Sequence, residues 1–194
     1  MSYIALGSFG FLVIHFCDII SIKRVPAAKP LAWALGGGLL VYSLIGLCLS
    51  PAKLPLPFWA TWLGWALLSI SSLLLIYSLF ISLPFVKTYV ATGVGDELVK
   101  TGLYALVRHP GVHWFIIVML SLFLISGSRL LLIVSPIWIS LDILLVYIQD
   151  RFFFTRMFNG YERYKQETPM LIPNKESINA CIRTLNKNGA NISG

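Results

Sequence analysis

The chain has 194 residues, of which 57% are hydrophobic and 12% charged, and its mean hydropathy is +0.80. A soluble domain carries about 25% charged residues and about half apolar ones, so this composition excludes an ordinary soluble globule and points to an integral membrane protein. The net charge of +7 comes with no nucleic-acid-binding signature and reads as attraction to anionic lipid headgroups.

Crossing a hydrocarbon core of about 30 Å takes roughly 20 apolar residues at about 1.5 Å per residue. Five such spans are predicted, at residues 3–20, 31–50, 58–83, 112–126 and 130–148. The first, in "MSYIALGSFGFLVIHFCDII", has no Lys or Arg before its apolar run and no small-residue cleavage pattern after it, so it is expected as a retained span. Within it, His15 and Asp18 stand at i, i+3 near the inner end, where a structural role is favoured because either side chain can reach the interface. Prolines in "SPAKLPLP" separate spans two and three. "SGSR", Ser126 to Arg129, suits a tight turn, so the last two spans read as a helical hairpin. Asp142 lies well inside the fifth span, where it either pairs with a group such as Arg129 or His113 or lines a polar pocket.

Basic residues orient the bundle. Lys23, Arg24 and Lys29 follow span one; Lys87, Lys100 and Arg108 follow span three; Arg151, Arg156, Arg163, Lys165, Lys175, Arg183 and Lys187 follow span five. Only Lys53 and Arg129 fall on the opposite side, which predicts an outside N-terminus and a cytoplasmic C-terminus. Residues 1–173 therefore form one membrane domain, with a loop at 88–111 and a C-terminal segment at 149–173 that reads as a juxtamembrane helix. Residues 174–194 are a polar tail expected to be poorly ordered. Asn191-Ile192-Ser193 in that tail matches a glycosylation sequon, which is void on the cytoplasmic side.

The polar residues concentrate in "KTGLYALVRHPGVHW", Lys100 to Trp114. Pro110 suits the first turn of a helix, whose free amides together with Arg108 make an anion-binding corner. Gly102 permits close backbone approach and Tyr104 offers an aromatic face, so a ligand with a carboxylate and a flat heterocycle fits as well as a tether to the bundle does. His109 and His113 at i, i+4 lack a third ligand, and Cys17, Cys48 and Cys181 lie far apart without C-x-x-C spacing, so no metal is expected. "TGVGDEL", Thr92 to Leu98, has Gly-x-Gly but no third Gly and reads as a flexible loop.

The pattern L-V-x-x-G-x-Y-x-x-x-R-H-P, Leu98 to Pro110, is followed at a distance by Y-x-x-Y-x-x-x-x-P-x-x-I-P, Tyr161 to Pro173. Over residues 88–173 this resembles the isoprenylcysteine carboxyl methyltransferase family, with its phospholipid and thiol methyltransferase relatives. The resemblance implies an all-α membrane fold and S-adenosylmethionine held at the cytoplasmic boundary by Leu98, Val99, Gly102, Tyr104, His109, Pro110, Gly111 and Val112. It also implies Arg108, Asp150 and Arg151 as the catalytic group, and a lipid-like or small hydrophobic acceptor entering from the bilayer. The family's acidic pair falls on Gln149 and Asp150, its substrate-facing arginine has Arg151 as the nearest counterpart, and Val112 stands where Tyr is common. A carboxylate acceptor would be held by an arginine; an amine or thiol would need a base, for which Asp150 and His113 are candidates. A nicotinamide-dependent membrane reductase, with a similar R-H-P region, and a non-enzymatic scaffold closed by Arg108, His109 and Asp150 stay open.

Overall fold

The computed structural model describes residues 2–25, 27–91, 94–95 and 98–190, and every regular element among them is helical. The helices are α1 (Ser2–Ile22), α2 (Ala28–Cys48), α3 (Phe58–Ile76), α4 (Leu103–Leu106), α5 (Pro110–Ser126), α6 (Arg129–Ile148), α7 (Phe154–Met157), α8 (Tyr161–Glu167) and α9 (Lys175–Ala190). Single π-helical turns extend α3 (Tyr77–Ile81), stand alone at Val86–Val90, and extend α6 (Gln149–Phe153). Helices α1 and α2, α3 with its π turn, and α6 with the turns beyond it are long and apolar enough to cross a membrane. At 17 residues α5 is shorter, about 25 Å at the usual helical rise.

The long helices are apolar around most of their circumference, as an element buried on one side and bathed in lipid on the other must be. Trp62, Leu73, Leu35 and Ile133 point outward, while Phe11, Leu47, Met119, Leu131, Val134 and Trp138 form the inner core. Helix α1 lies along α2, α3 lies along α5, and α6 touches α1, α2 and α5. Small residues permit these approaches, since lipid removes the hydrophobic drive between helices and leaves close packing to hold them. A Cβ on Gly10 would stand 2.8 Å from the Gly36 carbonyl, one on Gly64 3.0 Å from the Ser121 carbonyl, and one on Gly7 2.1 Å from the Trp138 ring.

At one end of the bundle, the Leu54 amide donates to the Gly127 carbonyl at 2.7 Å and the Ser128 hydroxyl to the Leu47 carbonyl at 2.6 Å. Gly127 ends α5 at φ +61°, a left-handed conformation, and Ser128 caps α6 through the Leu131 amide. At the other end, α3 stops where Pro84 offers no amide to the carbonyls of the last turn. Tyr104 and Tyr89 hydroxyls fill that role, donating to Ser78 O at 3.0 Å and Leu79 O at 2.7 Å. The Trp114 indole donates to Ser78 Oγ at 2.9 Å, which ties the start of α5 to the same place.

Two expectations are corrected. The segment at 149–173 is not one interfacial helix: after the π turn it breaks into α7 and α8, with Phe158 extended and Gly160 left-handed between them. The tail is not irregular as far as Ala190, because α9 begins there with a reciprocal cap. The Ser177 amide donates to Asn174 Oδ1 at 2.8 Å and the Asn174 amide to Ser177 Oγ at 3.0 Å. Helix α9 then packs on α4, burying Ser177 and Cys181. Thr92, Gly93, Asp96 and Glu97 of the Gly-x-Gly stretch and the 191–193 sequon lie outside the described residues.

Candidate functional site

The polar stretch around Arg108 and the C-terminal segment are stitched together by backbone as well as side chains. Arg108 and His109 amides donate to the Pro169 and Met170 carbonyls at 3.0 and 3.3 Å. The Tyr164 hydroxyl reaches back to the Tyr104 carbonyl at 2.5 Å. Helix α9 adds a third strap, its Thr184 Oγ1 accepting from the Gly102 amide at 3.0 Å, and Gly102 sits at φ +59°, where a side chain would be strained.

The centre of this knot is a buried ion pair. Arg108 Nε and Nη2 grip the two Asp150 oxygens at 2.8 and 3.0 Å, and Nη1 donates to the Lys165 and Thr168 carbonyls at 3.1 and 2.5 Å. Four of the five guanidinium protons are thus committed to protein acceptors. Both side chains are 8% exposed. The Tyr161 hydroxyl gives Asp150 Oδ1 a further bond at 2.6 Å. Burial pushes the phenols of Tyr104, Tyr161 and Tyr164 well above their ordinary range, so each remains a protonated donor.

His109, the residue before α5, is held flat against Phe154, ring centroids 5.7 Å apart and planes 18° from parallel. Its Nε2 lies 3.5 Å from Asp150 Oδ1 yet makes no hydrogen bond, and it is fully shielded from solvent. Burial lowers the imidazole pKa, against the opposing pull of Asp150, and keeps the ring neutral near pH 7.

Beside this knot opens a cavity of about 360 Å3, within the roughly 300–1,000 Å3 of small-molecule sites. Leu98, Val99, Tyr104, His109, Pro110, Gly111 and Val112, expected around a cofactor, line it together with Arg108. The remaining three expected site residues do not. Gly102 faces α9, Asp150 stands behind Arg108 and His109, and Arg151 is exposed on the outer face of the π turn. Lys29, Gln149 and Tyr161 add polar walls that the expected set of site residues did not include, although Gln149 falls on the acidic-pair position and Tyr161 opens the distal motif. His15, Asp18 and Asp142 reach the same space, Asp18 accepting from Gln149 Nε2 at 2.8 Å and His15 Nδ1 lying 2.8 Å from the Phe11 carbonyl. Asp142 has no hydrogen-bond or ion-pair partner among the described residues, and Arg129 is about 20 Å away along α6. Of the two sequence-level alternatives for Asp142, the pocket is the one seen.

No family model, curated protein or solved structure matches this chain.

The arrangement therefore has to be read from its own chemistry. The His109 imidazole, the rings of Tyr104, Tyr161 and Tyr164, the first turn of α5 and the Asp142 carboxylate line one cavity whose walls are otherwise largely apolar. Among the described residues no three His, Cys, Asp or Glu side chains converge as a metal set. Arg108 acts on the fold: it clamps the π turn beyond α6 to the end of α8 and to Thr168, and one free proton is all it can offer a ligand.

Proposed function

We propose that this chain is an integral membrane methyltransferase that uses S-adenosylmethionine and acts on a lipid-like or small hydrophobic acceptor. It crosses the membrane five times, α5 and α6 forming the final hairpin, with the C-terminus and the cavity mouth on the cytoplasmic side. The observation that carries the reading is a 360 Å3 cavity lined by Leu98, Val99, Tyr104, His109 and Gly111, beside the amides of the first turn of α5. A helix N-terminus favours a carboxylate, and apolar and aromatic walls favour a flat heterocycle.

The residues fit that cofactor in three respects. Leu98 and Val99 supply apolar walls for a heterocycle, Tyr104 supplies an aromatic face, and His109 with Gly111 supplies polar contacts at the α5 end. Bound there, the cofactor would supply an electrophilic methyl group whose leaving group is a neutral thioether, so no acid is required. The protein's own task is alignment and exclusion of water. The knot around Arg108 and Asp150 serves that task by fixing the C-terminal segment, so that Phe154, Tyr161 and Tyr164 wall the cavity. A mouth at the boundary admits a water-soluble cofactor from one side and an apolar acceptor from the bilayer.

Titration of the purified chain in detergent with S-adenosylhomocysteine and, separately, NADPH tests this reading. Thermal stabilisation by the first alone, lost in His109→Ala and Tyr104→Ala, is expected. Stabilisation by NADPH alone would favour a reductase, and a response to neither would leave a scaffold.

A further inference from the structure

The cavity is lined by several charged groups, and all but one are already engaged. Arg108 is held by Asp150, Lys29 Nζ donates to the Ala91 carbonyl at 3.0 Å, and Asp18 is bonded to Gln149. Asp142 is the exception: its carboxylate borders the cavity with no hydrogen-bond or ion-pair partner among the described residues. On α6 it shares one stripe with Val146 and Gln149 at i, i+4 and i+7, all three lining the cavity. Eight residues separate it from Asp150, so it lies about 12 Å deeper along the helix than the Arg108 knot. The cavity's other lining residues include the apolar Phe11, Val112, Phe115 and Val146.

A carboxylate at that depth is costly and persists where it meets a cation or a polar ligand. We propose that Asp142 binds the acceptor, and that the acceptor is a lipophilic amine whose ammonium pairs with this carboxylate. The proposal rests on the methyltransferase reading for the transfer step and on the cavity alone for the binding step. An anionic acceptor is disfavoured, because Arg108 has four of its five protons committed and Arg151 is exposed outside the cavity. A thiol acceptor would leave the carboxylate without a counter-charge.

An ammonium has no lone pair to give, so it must lose a proton before transfer. In apolar surroundings a carboxylate takes that proton and both partners become neutral. The freed nitrogen lone pair then forms the bond to the methyl carbon as the carbon–sulfur bond breaks with its electron pair left on sulfur. The product is a methylated ammonium, a neutral thioether and protonated Asp142, which returns its proton to solvent when the product leaves.

The test uses the full chain in lipid nanodiscs, with tetradecylamine, tetradecanoate and tetradecanol as acceptor probes and S-adenosylhomocysteine as the cofactor probe. Wild type is expected to bind the amine at least about tenfold more tightly than the alcohol, a difference of about 1.4 kcal/mol. Asp142→Asn is expected to erase that preference, Asp142→Glu to keep most of it, and both to bind S-adenosylhomocysteine as wild type does. Equal binding of amine and alcohol by wild type overturns the proposal even if Asp142→Asn does not fold. So does amine binding that survives in Asp142→Asn. A preference for tetradecanoate that disappears in Lys29→Met overturns it in favour of an anionic acceptor. Weaker binding of S-adenosylmethionine, but not of S-adenosylhomocysteine, by Asp142→Asn overturns it by making the carboxylate the sulfonium's counter-charge. If the amine preference depends on Asp142 while S-adenosylhomocysteine never binds, the amine site stands and the methyltransferase reading falls.

Discussion

Replacing Arg108 by Met keeps the length and apolar stem of the side chain and deletes its charge. Asp150 would then be 8% exposed with Tyr161 as its one remaining hydrogen-bond donor, since His109 Nε2 at 3.5 Å makes no bond. The Lys165 and Thr168 carbonyls would lose their shared donor as well. Removing one partner of a buried ion pair costs about 3–5 kcal/mol, because the other charge stays desolvated and uncompensated. The loss should be smaller in Arg108→Met/Asp150→Leu, where no charge is stranded, so a double-variant cycle should return at least about 2 kcal/mol of coupling. Arg108→Lys should fall between wild type and Arg108→Met, since an ammonium cannot grip both carboxylate oxygens and two carbonyls at once. Reversible unfolding of the micelle-bound chain, followed by circular dichroism, gives these free energies. A cost below about 1 kcal/mol for Arg108→Met, or no coupling in the cycle, would refute the view that this arginine holds the C-terminal segment to the bundle.

The lowered pKa of His109 has a definite sign: the folded state resists the proton that the unfolded state accepts at about the ordinary 6.5. Stability should be constant above that pH and fall as the pH drops below it, and the His109→Gln variant should lose this part of the acid sensitivity in pH-dependent melts. Gly7→Ala should destabilise by about 1–3 kcal/mol, because the added Cβ would meet the Trp138 ring at 2.1 Å and force the core indole off its Ser8 contact. Thr184→Val should cost about 1 kcal/mol and make the Gly102 amide exchange faster in hydrogen-exchange mass spectrometry, while amides in the middle of α6 stay protected. Unchanged exchange at Gly102 would mean that α9 does not hold this loop.

Helices long and apolar enough for a membrane could be read from residue order because hydrophobicity over about twenty residues is a local property. Pro110 at the start of α5 and Gly127 at its end are local too, since each acts through its own φ angle or missing amide. The C-terminal reading failed for a related reason. Aromatic and charged residues alternate from Gln149 to Pro173 as they do on an interfacial helix, yet carbonyl capture by Arg108, more than 50 residues upstream, decides where that segment bends. The tail was judged by its low apolar content, whereas Asn174 and Ser177 nucleate α9 through a cap and α4 supplies the packing surface.

Residue order alone tells the class of molecule and where its polar chemistry concentrates. Which of those polar groups are used up depends on how the helices bring them together. Arg108 and Asp150 look equally available as letters, but they hold each other, while Asp142 lines a cavity with no hydrogen-bond or ion-pair partner among the described residues. Pairing is a property of three-dimensional distance, and the partners here lie 42 residues apart in the chain and 2.8 Å apart in space.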